Sequence, residues 1–124
     1  MVKEVYKCNN CGTVLFATAD YIECCKQEMK LLEPKTADWK GEKHVPKITI
    51  DGNNVTVDVG ISMGAPHPMT PEHSIQWINL IGNDFYEKKN LKPGDEPKAT
   101  FVVANTDGLW AREYCNLHGL WKSS

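Results

Sequence analysis

The chain lacks the features that define several broad classes of protein. No apolar stretch approaches the ~20 residues that a membrane-spanning helix needs, and the first residues lack the long apolar segment of a secretory signal. The formal net charge of −2 provides no basic surface for nucleic acid. We therefore expect a cytoplasmic protein that binds neither a membrane nor nucleic acid.

The chain also lacks an even number of cysteines, because it has five. An odd number cannot pair completely into disulfides, and a reducing compartment would keep the thiols available for a metal. The odd number of cysteines therefore favours thiols that serve as metal ligands. Disulfides among the first four cysteines are the alternative interpretation.

What the chain does contain is a supply of metal-binding side chains that falls into two groups. The first group lies within the first 25 residues and consists of Cys8, Cys11, Cys24 and Cys25. The second group contains all four histidines and consists of His44, His67, His73, Cys115 and His118. Thiolates and imidazoles bind mid-to-late first-row metals. Because one group is all sulfur and the other mostly nitrogen, we predict two metal sites with different roles.

The first group has the spacing of a four-sulfur site. Cys8 and Cys11 lie three positions apart, and Gly12 gives the backbone the freedom to turn between them. Cys24 and Cys25 are adjacent, and because extended neighbours point in opposite directions, we expect a wide, strained angle at the metal. Tetrahedral four-sulfur sites suit either zinc or iron. A zinc knuckle that only stabilises this segment is the structural alternative.

The second group predicts a site with an open coordination position. A single loop histidine is more often a solvated surface residue, but Cys115 and His118 lie together just after a predicted strand. His67 and His73 enclose a loop that two prolines stiffen. Five ligands overfill a tetrahedral zinc site but leave one position open on an octahedral ion such as iron. An open coordination position on the metal indicates that a substrate binds and reacts there.

The polar stretch that ends near residue 36 predicts a division into segments 1–36 and 37–124. A segment of the first size rarely builds a sufficient core without a metal, disulfides or a partner. The second segment has short alternating strands, a hairpin turn at 51–54, and a strand at 74–81 that is apolar on both faces. This spacing of strands and turns predicts a mainly β protein whose larger part is an antiparallel sandwich.

Five motifs resemble the superoxide reductases in their two-iron form, desulfoferrodoxin. The motifs are YKCNNCG at 6–12 with the adjacent Cys24 and Cys25, EKHVP at 42–46, APHPM at 65–69, EHSIQWI at 72–78 and EYCNLHGLW at 113–121. Together they span the whole chain in the family's order. One position departs from the family's usual pattern, since Pro66 precedes His67 where a small or polar residue is common.

The resemblance implies a desulforedoxin-like domain at 1–36 and an immunoglobulin-like β-sandwich at 37–124. It implies two iron ions per chain, the first of them on the four N-terminal cysteines. For the second iron it implies four equatorial ligands, which are His44, His67, His73 and His118. The axial ligand would be the Cys115 thiolate, opposite the position at which superoxide binds.

The resemblance also implies roles for two charged residues and the identity of the protein's partners. Glu42 matches a carboxylate that fills the open position in the oxidised state, and Lys43 matches a lysine that guides superoxide. Family members are usually homodimers that take electrons from rubredoxin.

The function expected from these motifs is superoxide reduction, in which superoxide, one electron and two protons give hydrogen peroxide. One alternative is a non-catalytic iron or zinc module for electron transfer or binding, which would leave the second group of ligands unexplained. Superoxide dismutation is another alternative, and it would release oxygen.

Overall fold

The computed structural model describes residues 3–36 and 44–123. The chain forms two compact units, Met1–Glu33 and Pro34–Ser124. The division lies close to the boundary between residues 36 and 37 that the sequence predicts. The assignment of a separate function to each part stays a prediction.

The first unit is a small three-stranded sheet with an added hairpin. The sheet has the order β2-β1-β5 and consists of β1 (Glu4–Lys7), β2 (Val14–Ala17) and β5 (Lys30–Leu31). The hairpin pairs β3 (Glu23–Cys24) with β4 (Gln27–Glu28). Its described buried residues are Val5 and a cluster of Tyr6, Cys8 and Met29 with a few half-buried neighbours. So small a core supplies little stability, as expected for a unit that depends on a metal.

The second unit consists of two antiparallel sheets. The first has the order β10-β7-β6, with β6 (Lys47–Asp51), β7 (Asn54–Asp58) and β10 (Lys98–Val102). The second has the order β12-β11-β8-β9, with β8 (Ile75–Ile81), β9 (Tyr86–Asn90), β11 (Trp110–Cys115) and β12 (Gly119–Lys122). A single 3-10 turn, Ile61–Met63, is the helical element of the described residues.

The alternation of buried and exposed side chains explains why the two sheets stack. On β7 and β10 every second side chain is buried, including Val55, Val57 and Phe101. These residues share one core with Ile78 and Leu80 of the other sheet, which makes the unit a β-sandwich. The predicted mainly β fold is therefore confirmed. Within the described ranges, no helix has the length and apolar character needed to cross a membrane.

The predicted hairpin at 51–54 is also confirmed. Asp51 pairs with Asn54, and Gly52 takes the left-handed conformation with φ 62°. The sequence did not predict β12, which pairs with β11 through Cys115 and Gly119. This hairpin brings the last two ligands of the second group to one end of the sandwich.

Candidate metal centres

The four cysteines of the first unit converge on one point. Their sulfur atoms all lie within 4.8 Å of one another. The Sγ atoms of Cys11 and Cys24 are 3.6 Å apart, and those of Cys24 and Cys25 are 3.8 Å apart. Both separations greatly exceed the ~2.05 Å of a disulfide bond, so the structure does not support the disulfide alternative. Corners of a tetrahedron with ~2.3 Å metal–sulfur bonds lie about 3.8 Å apart, which fits a four-sulfur ion.

The loop after β1 places the first two sulfurs. Cys8 is buried, and its Sγ accepts a hydrogen bond from the Cys11 backbone N–H at 3.4 Å. The Gly12 N–H then donates to the Cys8 carbonyl at 2.9 Å, with φ 81° at Gly12. The predicted turn therefore exists and depends on glycine at its end.

The adjacent cysteines are joined by a tight turn rather than by extended backbone. Cys24 pairs with Gln27, so Cys25 and Lys26 form a two-residue hairpin loop, with φ 55° and 62°. Two positive φ values are typical of a type I′ turn. The two side chains do not point apart as those of extended neighbours would, because the turn rotates Cys25 toward Cys24. The wide angle expected at a bound metal stays a prediction. The left-handed conformation of these two residues costs roughly 1–2 kcal/mol of conformational free energy each.

The pKa values of these thiols differ strongly. The side chain and backbone of Thr13 lower the pKa of Cys11 to about 6, with smaller contributions from neighbouring sulfurs. Hydrogen bonds to Cys8, Cys11 and Cys25 raise the pKa of Cys24 to about 12. A cluster of thiols without an ion therefore resists complete ionisation. A bound cation would favour all four thiolates, so the donor set suits a metal.

The four histidines of the second group form a closed ring of edge-to-face contacts. Neighbouring ring centroids are 4.9 Å apart for His44 and His67, and 4.7 Å apart for His67 and His73. The corresponding distances are 5.0 Å for His73 and His118, and 4.8 Å for His118 and His44. Interplanar angles of 70° to 86° turn each imidazole edge toward its neighbour. One ligand atom from each histidine and the Cys115 sulfur lie within 4.8 Å of one another.

The nitrogen positions fit a metal ion. The His44 Nε2 and His118 Nδ1 atoms are 3.0 Å apart. Two ligand nitrogens at right angles, each ~2.1 Å from an ion, are also about 3.0 Å apart. The His67 Nδ1 lies 2.8 Å from the Pro68 carbonyl oxygen. An N–H there donates to that carbonyl and leaves Nε2 as the basic nitrogen, as in many metal-bound histidines.

The connection between β7 and β8 carries both His67 and His73. The His67 N–H donates to the Val59 carbonyl at 3.0 Å. Gly60 has φ 88°, and a Cβ there would meet the Ala65 carbonyl oxygen at 2.0 Å, so glycine is required. His73 is held by Thr70, whose Oγ1 accepts the His73 N–H at 3.1 Å. These contacts fix the backbone of both histidines within the connection.

The β11–β12 hairpin carries Cys115 and His118. Cys115 is fully buried at the end of β11, next to an irregularity in its pairing with β8. Cys115 pairs with Gly119, whose φ is 86°, so the loop between them has only three residues. This short loop turns His118 back toward the buried thiol. The predicted link between Cys115 and His118 is therefore a tight hairpin.

Trp121 also contributes to this site, although the sequence alone indicates no role for it. Its indole stacks on the His44 imidazole with centroids 4.6 Å apart and an interplanar angle of 14°. Trp121 is buried on β12, whereas His44 lies three residues before the start of β6. The sequence signal was a tryptophan three residues after His118, but only the pairing of β12 reveals its partner.

A buried carboxyl group lies two residues before Cys115 on β11. Glu113 is fully buried on β11, and no hydrogen-bond partner for either carboxyl oxygen lies within residues 3–36 and 44–123. Burial raises the pKa of Glu113 well above its usual range, which favours the neutral carboxyl. The expected functional pair Glu42 and Lys43 lies outside the described residues.

The fold and the two ligand clusters define a class of two-centre metalloproteins, with a small all-sulfur unit and a β-sandwich that carries a histidine-rich centre. The family model of desulfoferrodoxin matches residues 36–124. The chain is 50% identical to a desulfoferrodoxin homolog of Archaeoglobus fulgidus, across 98% of this chain and 97% of that protein. It is 46% identical to a desulfoferrodoxin of Nitratidesulfovibrio vulgaris, across 97% and 94%.

A solved structure extends this similarity to the three-dimensional fold. The superoxide reductase from Treponema pallidum matches with a TM-score of 0.81 and 29% identity, and the match covers 98% of each chain. The chain therefore belongs to the desulfoferrodoxin family. Its two ligand clusters are consistent with the two iron centres of that family.

Proposed function

We propose that the protein is a superoxide reductase, which converts superoxide, one electron and two protons into hydrogen peroxide. The observation that carries this proposal is the convergence of four imidazoles and the Cys115 sulfur within 4.8 Å. Five donors leave an octahedral ion one position for a substrate. Iron at this site would supply the electron, and the protein's task is to hold the donors and to bring in the anion.

The individual ligand roles belong to this proposal. His44, His67, His73 and His118 would hold the iron through one nitrogen each, and Cys115 through its thiolate. Burial of Cys115 and His44 keeps water from these donors. Cys8, Cys11, Cys24 and Cys25 would hold the second iron, with segments 1–36 and 37–124 acting as the two functional domains.

Lys43 and Glu42 are proposed to act at the substrate's entrance. Both precede His44 in the chain, so they are tied by the backbone to a ligand. The Lys43 ammonium would attract superoxide toward a protein of net charge −2. The Glu42 carboxylate would occupy the open position after oxidation.

These two roles make different predictions. Lys43→Ala should lower the second-order rate with superoxide and weaken its ionic-strength dependence, because salt screens charges over ~8 Å at physiological strength. Glu42→Ala should leave that rate nearly unchanged and alter the ferric spectrum. An unchanged rate in Lys43→Ala at low salt would contradict the guiding role.

We further propose the partners and the location that the family resemblance implies. The electron donor would be a rubredoxin-like protein, the working form a homodimer, and the compartment the cytoplasm. The sulfur ligands and the odd number of cysteines support a reducing compartment. Size measurement in solution and reduction of the protein by purified rubredoxin test the dimer and the donor.

The stoichiometry of products tests the reductase function. Protein that holds two irons per chain should be reduced first and then mixed with superoxide in stopped flow. A reductase yields one hydrogen peroxide per superoxide and no oxygen. A dismutase releases oxygen and yields half as much peroxide, and a non-catalytic module leaves the decay of superoxide unchanged.

A further inference from the structure

The backbone carbonyl of His118 is bound by two side chains outside the ligand set. The indole Nε1–H of Trp121 donates to this oxygen at 3.1 Å. The ammonium Nζ of Lys35 donates to the same oxygen at 3.0 Å. A carbonyl has two lone pairs, so both hydrogen bonds can form together. The loop that carries His118 is therefore held at the ligand residue itself.

Lys35 reaches this position because its backbone is attached to β12. The Lys35 N–H donates to the Leu120 carbonyl at 2.9 Å, and the Lys122 N–H donates to the Lys35 carbonyl at 2.8 Å. These bonds form a parallel bridge between Lys35 and Trp121. Lys35, the second residue of the second unit, is thus hydrogen-bonded to β12, the edge strand next to the histidine-rich site. From this position the Lys35 side chain reaches the β11–β12 loop, where its Nζ meets the His118 carbonyl.

Trp121 connects this arrangement to a second histidine. The Lys35 Nζ lies 5.0 Å from the centroid of the Trp121 ring, a distance typical of a cation–π contact. The same indole stacks on His44 at 4.6 Å. One aromatic side chain therefore contacts His44 by its ring, His118 by its N–H and Lys35 by its π electrons.

We propose that Lys35 and Trp121 are positioning residues for the histidine-rich centre, and that the Lys35 charge tunes it. This inference rests on the proposed function only in taking iron as the ion that this cluster binds. Hydrogen bonds to ligand residues fix ligand orientation and commonly change metal affinity 10–100-fold. A nearby positive charge favours the less positive ferrous state, so Lys35 raises the midpoint potential of the centre.

The variants separate the charge from the contact. Lys35→Met removes the charge and the donor but keeps a long side chain, whereas Lys35→Arg keeps both. Trp121→Phe removes the indole N–H and keeps an aromatic ring against His44. Lys98→Met is the matched control, because Lys98 is a half-exposed lysine of the same unit whose ion pair is with Glu96 at 3.9 Å.

The measurements are the midpoint potential of the histidine-rich centre and the rate at which a chelator removes its iron. Lys35→Met should lower the potential, most clearly at low salt because Lys35 is exposed. It should also release iron about tenfold faster. Trp121→Phe should release iron faster with a smaller change in potential. Lys35→Arg and Lys98→Met should match the wild type in both measurements, and the four-sulfur centre should not change in any variant.

An unchanged potential and release rate in Lys35→Met would overturn the proposal, and so would an equal change in Lys98→Met. Slower or unchanged release in Trp121→Phe would overturn the part assigned to the indole. If Trp121→Phe fails to fold, Lys35→Met still decides the matter, since it alters an exposed side chain. Neither measurement uses superoxide, so a wild-type protein that fails to reduce superoxide would refute the proposed function and leave this result intact.

Discussion

Asn116 and Ser74 are joined by two hydrogen bonds between the hairpin and the histidine loop. The Ser74 N–H donates to the Asn116 Oδ1 at 2.9 Å, and the Asn116 N–H donates to the Ser74 carbonyl at 3.2 Å. The Asn116 Nδ2 also donates to the Glu72 carbonyl at 2.9 Å. Asn116 therefore holds the residues on both sides of His73 while it sits next to Cys115.

We expect Asn116→Ala to weaken the histidine-rich centre without affecting the four-sulfur centre. Loss of these contacts frees the His73 loop, and such supporting contacts commonly change affinity 10–100-fold. Iron release to a chelator, followed at each centre's absorption, measures the effect. The matched control is Asn105→Ala, which removes an Asx contact to the Asp107 N–H in the connection between β10 and β11, whereas Cys115 lies at the other end of β11. Equal release from the two variants would contradict the role of Asn116.

The two centres should be independent of each other. Cys11→Ser should remove the four-sulfur absorption, because Cys11 is one of only four donors in its cluster. The histidine-rich centre should keep its iron and its spectrum. The first unit should unfold more readily, because metal binding supplies folding free energy to so small a core. Metal analysis of the variant measures this, and simultaneous loss of both irons would refute independence.

The turn at Cys25 and Lys26 predicts a stabilising substitution. Lys26 has φ 62°, where glycine pays no steric cost, so Lys26→Gly should stabilise the first unit by about 1 kcal/mol. Lys30→Gly is the control, because Lys30 lies in β5, where glycine weakens a strand. Urea unfolding of the metal-loaded protein, monitored at the four-sulfur absorption, compares the two. Destabilisation by Lys26→Gly would argue against the left-handed turn.

The sequence alone predicts both clusters because metal binding depends on residue type, and every cysteine and histidine of the chain lies in one of the two clusters. It also predicts the sandwich, since alternation is a local property of strands such as β7. The extended backbone expected at Cys25 is wrong, because Cys25 and Lys26 form a two-residue turn. The stacking of Trp121 on His44 was not predictable, because pairing of distant segments creates it.

The hydrogen bonds of Asn116 are likewise not predictable from the sequence. Its sequence neighbours Cys115 and His118 mark the ligand loop, but nothing local indicates that its amide reaches Ser74 on another element. Side chains that support ligands have no distinctive spacing, whereas the ligands themselves have distinctive chemistry. Their identification requires the three-dimensional structure.

Superoxide decay in matched variants tests the central claim, that the histidine-rich centre with its Cys115 thiolate reduces superoxide. Pulse radiolysis should be carried out on reduced wild-type protein, on Cys11→Ser and on Cys115→Ser, each with measured iron content and visible spectrum. We predict that Cys11→Ser consumes superoxide at the wild-type rate. Cys115→Ser should lose both the sulfur-to-iron charge-transfer band and the fast decay while the sandwich stays folded. A Cys115→Ser protein that keeps the band and reacts at the wild-type rate would contradict the claim.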